Sequence, residues 1–341
     1  MHKHYVCIST ARPAIHQMKS IYIFLAALFT AIPGLAQKTD STAIRTGKVI
    51  TNKFPTTRAF DLQYDQFGPA DNTAKILGQL FEKGKIQNHY RAKAAANIIL
   101  YKSKTQRFFI TNSFRYKYEF FAFGPMQNAT GINNRPDVDF HYFANSVSGT
   151  YFGKLFKKNV IYNATATVDA NEHDFQRIKG MVSAVVVMKK SERTTFTLGA
   201  LMSIDPSSII PIVPIATYEY QFENSPWKLD FILPQRFLIQ RPLFENGRLS
   251  LGTEMTSENF YLALNNASFK GIYELNQLGL RSGVTYEHAL GKGFIGTFRG
   301  GMANLLSSRI TERGERTNRY VIENKQDPQW YFNVGVSYNP F

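Results

Sequence analysis

Val160-Ile161-Tyr162-Asn163-Ala164-Thr165-Ala166-Thr167-Val168-Asp169 alternates residue by residue. Val160, Tyr162, Ala164, Ala166 and Val168 share one side, while Ile161, Asn163, Thr165, Thr167 and Asp169 share the other. Successive side chains of a strand point to opposite faces, so this stretch predicts a strand with one apolar and one polar face. Phe108 to Tyr118 repeats the pattern, as do Thr195 to Ile204 and Phe294 to Met302.

Working outward, the same period recurs near 58–67, 89–102, 106–120, 138–152, 159–170, 176–189, 194–205, 211–222, 226–233, 247–256, 259–266, 272–287, 293–304 and 329–341. The pattern predicts about fourteen strands, with about twelve as the alternative count. Links after even-numbered segments are short, and several after odd-numbered ones are long: 68–88, 121–137, 234–246 and 305–328. Short turns at one end and long loops at the other predict an all-β fold: a transmembrane antiparallel up-and-down β-barrel with both termini periplasmic. In lipid no backbone N–H or C=O can stay unpaired, so such a sheet has to close on itself. Within 68–88 the spacing of Ile76, Leu77, Leu80 and Phe81 also permits a short loop helix or plug.

Composition points the same way. Aromatic residues make up 14% of the chain and hydrophobic ones 44%, too polar for a bundle of membrane helices but rich in strand and interface formers. The formal charge of +15 is scattered among acidic residues, without the clustered basic face that nucleic acid requires. The lone cysteine, Cys7, allows neither a disulfide framework nor a thiolate metal site.

At the front, the apolar run Ile21 to Ile32 follows Lys19 and precedes Gly34 and Ala36. It is too short to span a bilayer and predicts a signal peptide cut after Ala36. The predicted organisation is a signal region over 1–36 (its core 18–36, with translation starting at Met18 as an alternative that makes 1–17 a mis-assigned start), a periplasmic segment over 37–57 and a barrel over 58–341.

At the back, Val334, Val336 and Tyr338 alternate with Asn333, Gly335 and Ser337, and the chain ends on Phe341. A strand ending in an aromatic resembles the assembly signal read by the barrel-insertion machinery. Gly335 and Tyr338 match its glycine-then-aromatic spacing, and Pro340 stands where a further aromatic is expected, with Phe341 one place late. With leader, strand pattern and terminus together, the chain resembles uncharacterised outer-membrane β-barrel families of Gram-negative bacteria over roughly Gln37 to Phe341. Trp227-Lys228-Leu229-Asp230-Phe231-Ile232-Leu233-Pro234-Gln235 is its most family-like stretch. The resemblance implies fold and outer-membrane location and carries no catalytic residues; the expected partners are outer-membrane lipid, lipopolysaccharide, which suits the basic charge, and the assembly machinery, which reads the terminal strand.

Chemistry is sparse. Asp139-Phe140-His141 puts a carboxylate and an imidazole on one strand face, half of a metal site or a polar pair of lumen or loop edge. His173 and His288 read as a solvated turn and a strand end, and no His-x-Ser of the barrel deacylase kind occurs. No cofactor is implied, and the chain reads as a non-enzyme. The candidate lumen residues are Arg115, Lys117, Asp169, Lys179 and Arg299, joined by Arg281, Asp61, Asp65, Glu219 and Asp230. Mixed charge in a lumen suits either a polar path for a small solute or an ion-pair plug. Three readings follow: a passive or selective transporter, a closed barrel acting through its loops, and a barrel hydrolase.

The leader reading has a direct check. Mass spectrometry of the exported protein is expected to find Gln37 as its first residue; a chain that keeps Ile21–Ile32 overturns it.

Overall fold

The structure, a computed structural model, describes residues 54–208, 210–265 and 269–340. The expected leader with Gly34 and Ala36, the segment 37–53 and Phe341 lie outside the described residues.

Seventeen strands form one antiparallel sheet. They are β1 (Phe60–Phe67), β2 (Ala70–Ile76), β3 (Gln79–Lys102), β4 (Phe108–Asn128), β5 (Gly131–Asn134), β6 (Val138–Leu155), β7 (Lys158–Ala170), β8 (Phe175–Lys190) and β9 (Thr194–Ile204). They continue as β10 (Ile212–Gln221), β11 (Lys228–Leu233), β12 (Arg236–Leu243), β13 (Gly247–Asn265), β14 (Lys270–Gly291), β15 (Phe294–Glu312), β16 (Ile322–Gln326) and β17 (Gln329–Tyr338).

Fourteen of them close a ring. From β3 each strand pairs with the next wall strand through β4, β6 to β15 and β17; β17 then pairs with β1, and β1 with β3. The seam runs in register from Phe60 opposite Tyr338 to Phe67 opposite Tyr331. The other three strands, β2, β5 and β16, are upward continuations of β1, β6 and β17. Each break carries a proline, at Pro69, Pro136 and Pro328, where a missing N–H interrupts the ladder.

β17 shows why the sheet faces outward as it does. Trp330, Val334 and Val336 are exposed outside while Gln329, Tyr331, Asn333, Gly335 and Ser337 are buried inside. Trp330 and Tyr338 lie ~27 Å apart along the strand at ~3.4 Å per residue. With the usual tilt, that suits the ~25 Å apolar band of a membrane barrel and its aromatic girdles. Tyr338 stacks with Phe60 and lies 4.8 Å from the tilted Phe294 ring at one girdle. Tyr64, Tyr90, Tyr118 and Phe120 are ring neighbours at the other.

Above that second girdle the pattern inverts. Register shifts around Ile86 switch the inward face of β3, so that Ile86 points inside and Lys83, Lys85 and Gln87 are exposed outside. On β4, Phe121 and Met126 are buried where Lys117 and Glu119 occupy the same face below. The wall there is a collar with an apolar interior: Ile86, Phe121 and Val138 form one cluster, and Phe260, Leu264, Tyr273, Leu275 and Ile310 another, with Phe140 packed against both.

Several expectations need correction. The stretches 68–88, 121–137, 234–246 and 305–328 are strand for most of their length, not long loops, and no helix forms at Ile76–Phe81. Leu77 and Gly78 instead make a two-residue turn with positive φ at both positions, the type I′ geometry that suits a hairpin. The expected strands 247–256 and 259–266 are the single β13, and β12 falls in the expected loop 234–246. The asymmetry between the two ends is therefore one of wall height. β3, β4 and β14 run 24, 21 and 22 residues, whereas β11 and β12 run 6 and 8. The six turns that follow β3, β6, β8, β10, β12 and β14 and both described chain ends share one end of the ring.

Val334→Arg, at mid-height of the outer wall, is expected to cost ~2–4 kcal/mol in urea unfolding from vesicles. Lys83→Glu, outside the collar, is expected to stay within ~0.5 kcal/mol; equal effects would contradict the assignment of the lipid-facing band.

Candidate lumen and its stopper

A fourteen-strand ring is wide enough for a passage unless something fills it. Here three elements enter it.

The first is the chain leading into β1. Arg58 is buried and reaches Glu287, donates to Ser337 Oγ at 2.7 Å and to Thr297 Oγ1 at 3.2 Å. Phe54, also buried, lies under the Arg248 guanidinium at 5.0 Å. This occupies the end of the lumen near the short turns.

The second is an ion-pair network at mid-height. His89, Arg91 and Lys93 alternate along β3 with Tyr90, Ala92 and Ala94, which places all three inside. Arg91 joins Glu119 at 2.5 Å and Glu258 at 2.9 Å; Lys93 and Lys117 reach Glu258 at 2.6 and 2.9 Å. Arg281 pairs with Asp65 at 2.9 Å, and Asn333 donates to the same carboxylate at 2.9 Å. His89 lies between the rings of Phe67 and Phe121, with its Nε2 at 2.6 Å from Glu119. Asp65, Glu119 and Glu258 are almost entirely buried, and buried carboxylates stay only where cations and donors compensate their lost hydration.

The third is the upper β13–β14 hairpin. β12 ends its pairing with β13 at Glu254, so above Met255 the hairpin has no neighbour on that side. It leans across the lumen until Cα atoms of β13 and β6 come within 8 Å, although the two strands share no ladder. Six wall strands separate β6 from β13 either way around the ring: β7 to β12 on one side, and β4, β3, β1, β17, β15 and β14 on the other. The contact is thus diametric and divides the lumen into halves. Phe260 meets the Phe140 and Tyr142 rings at 5.6 and 6.4 Å. Tyr142 and Tyr261 both donate to Asp169, at 2.8 and 3.1 Å, and Lys179 pairs with Asp169 at 2.7 Å. Glu274 accepts from Arg177 at 2.7 Å, and Arg177 also reaches Asp205 at 2.5 Å.

The halves differ in filling. In the half bounded by β14, β15, β17, β1, β3 and β4 the inward side chains Asp65, Arg91, Glu119, Arg281, Asn333 and Ser337 are buried. In the other half Asn163, Thr165, Thr167, Ser183, Ser203 and Thr217 face inward and stay partly exposed. Their hydroxyls and amides bridge neighbouring strands, as in Ser148–Thr165 at 2.8 Å, Asn163–Thr150 at 2.9 Å and Thr197–Thr217 at 2.7 Å. Met181, Leu201 and Val213 share this face with them, and the charges of the half are paired, Lys179 with Asp169, Arg177 with Asp205, Lys228 with Glu219 and Arg236 with Asp230.

Of the sequence candidates, Lys117, Asp169 and Lys179 sit at these cross-lumen contacts, and Arg299 pairs with Glu254 at 3.1 Å. Arg115 shares the inward face with Lys117 but is exposed and makes no ion pair among the described residues. Asp61 accepts from Ser337, Asp230 pairs with Arg236 at 3.0 Å and Glu219 with Lys228 at 2.6 Å. Gly335 and Tyr338 lie on the seam. Asp139 and His141 are on the outer face, at the girdle: His141 is 3.5 Å from Asp139 and its Nδ1 is 2.9 Å from Tyr116 Oη. Neither the lumen nor a loop edge holds them, because the inward positions of β6 are Phe140 and Tyr142. Among the described residues no group of three His, Cys, Asp or Glu side chains is placed to hold a metal.

Sequence reading missed Arg58, Arg91, Lys93, Glu119, Arg177, Glu258 and Glu274. The signal for two of them was present: His89-x-Arg91-x-Lys93 puts three cationic or titratable groups on one strand face. Glu258 and Glu274 gave none, since both depend on a hairpin leaving the wall.

No family model and no curated protein sequence matches the chain. Solved structures similar to it include an outer-membrane channel from Pseudomonas putida F1, 12% identical, covering 83% of this chain and 96% of that one with a TM-score of 0.36. A Pseudomonas aeruginosa FadL homologue is 8% identical over 85% and 92% with a TM-score of 0.33. The outer membrane protease OmpT from Escherichia coli is 9% identical over 84% and 99% with a TM-score of 0.30. At such identities and scores no residue role or activity passes from them to this chain.

Proposed function

We propose that the chain is an outer-membrane barrel that passes small uncharged polar solutes along its β7–β12 half, with the β13–β14 hairpin as stopper. In this reading the short turns and both chain ends face the periplasm, and the collar faces outward. The observation that carries it is the contrast between the halves: one is filled by buried ion pairs, while the other presents a run of partly exposed Asn, Ser and Thr side chains, its charges being paired with one another. Such a lining replaces part of a sugar-like solute's hydration, and its mutually paired charges offer an ion no free counter-charge.

The stopper is held over that half by Glu274 with Arg177 and by Tyr261 with Asp169. Removing the hairpin's side of both contacts leaves each basic group a partner, since Arg177 keeps Asp205 and Lys179 keeps Asp169. Glu274→Gln with Tyr261→Phe is therefore expected to fold and to raise the rate at which proteoliposomes swell in an uncharged sugar several-fold over the parent. Planar-bilayer currents should show little preference between cations and anions. If parent and variant, both shown folded by heat-shifted gel mobility, admit sugar no faster than empty liposomes, the barrel is closed and its role lies in its collar.

A further inference from the structure

The outer wall over β6 to β9 departs from the rest of the band. Phe114, Phe143, Phe298 and Trp330 cover their parts of the surface with large side chains. Here Gly149 pairs with Ala164 and Ala184 with Ala200, so four small residues fall side by side on neighbouring rungs. The adjacent Tyr151 and Tyr162 rings, stacked 6.4 Å apart, lean over Gly153 toward the short turns instead of covering them. What results is a depression of about 770 Å³, walled by Phe108, the two tyrosines, Val182, Met202 and Ile212. That volume lies within the ~300–1,000 Å³ of ordinary ligand sites.

Beyond the two tyrosines, toward the short turns, the same face carries a cluster of cations. Lys154, Lys157, Lys158, Lys189 and Lys190 flank the two turns that close β6–β7 and β8–β9; Glu192 is the single carboxylate of those segments. Among the described residues none of the five lysines is ion-paired. Lys158 lies on the outer face, its Nζ 3.6 Å from Met188 Sδ, and the outward positions Val160 and Tyr162 lead from it to the small-residue floor. Phe156, 89% exposed at the tip of the first turn, is placed like an interfacial anchor.

We propose that this face binds an anionic phospholipid, with an acyl chain in the depression and its phosphate on Lys158 and the neighbouring lysines. The proposal rests on the membrane reading above, which directs the face toward lipid. A hydrocarbon chain fits the apolar floor, and basic residues at a bilayer surface attract anionic headgroups. A zwitterionic lipid satisfies the floor alone.

The test is native mass spectrometry of the folded full barrel released from detergent, titrated with dioleoyl-phosphatidylglycerol or dioleoyl-phosphatidylcholine. The parent is expected to retain the glycerol lipid several-fold better. Lys158→Gln with Lys189→Gln should bring that retention down to the choline level, and Ala164→Phe with Ala184→Phe should lower it with every lysine in place. If the double phenylalanine variant does not fold, Ala200→Leu takes its place. Lys83→Gln with Lys85→Gln, at the far end, should change nothing. Equal retention of the two lipids, or retention untouched by both sets of substitutions, overturns the proposal. Failure of the parent to insert into bilayers would instead overturn the membrane reading, and heat-shifted mobility reports that before any lipid is added.

Discussion

The β1–β17 seam is the constraint on which the rest depends. A sheet in lipid has no water to satisfy an edge, so its first and last strands have to pair along their whole membrane height. Phe60 opposite Tyr338 through Phe67 opposite Tyr331 does this without a register shift. Closure at fourteen strands then fixes a lumen too wide for side chains on the wall alone to fill. Arg58, the Glu258 network and the β13–β14 hairpin all respond to that width.

The hairpin is available because the wall is uneven. β11 and β12 stop at Leu233 and Arg236, level with Glu254, and release the upper part of β13 from its neighbour. A strand with a free edge and apolar side chains on it has little reason to stand in water. By folding inward, Phe260, Leu264 and Leu275 gain the collar core, and the tall strands gain a partner across the lumen.

What was legible in the sequence follows from where each residue sits relative to lipid. β7 and β17 were readable because one face meets hydrocarbon and the other water, which imposes strict alternation. The upper parts of β3 and β4 were not, because above the girdle the apolar face turns inward and the register shifts at Ile86 break the period. β12 was hidden by Pro234 and Pro242, which read as loop signals although Pro242 sits opposite Arg248 in the ladder. The count of ring strands came out right through two compensating errors, β12 missed and β13 divided, while β2, β5 and β16 fell in expected loops. Individual lumen charges were visible as inward positions, but their partners were not, since Lys117 and Glu258 are 141 residues apart and meet only when the hairpin crosses.

The hairpin's two faces are fastened unequally, and that inequality gives it a direction. Glu258, toward the packed half, is held by Arg91, Lys93 and Lys117. Glu274, toward the lined half, is held by Arg177 alone among the charged groups, and Arg177 has a second carboxylate in Asp205. Parting Glu274 from Arg177 breaks one ion pair and leaves the arginine Asp205, whereas parting Glu258 from its cations breaks three and leaves Lys117 without a carboxylate, in a buried site where unpaired charge is most costly. In the transport reading proposed above, the hairpin is therefore expected to release the lined half first, pivoting on the Glu258 side.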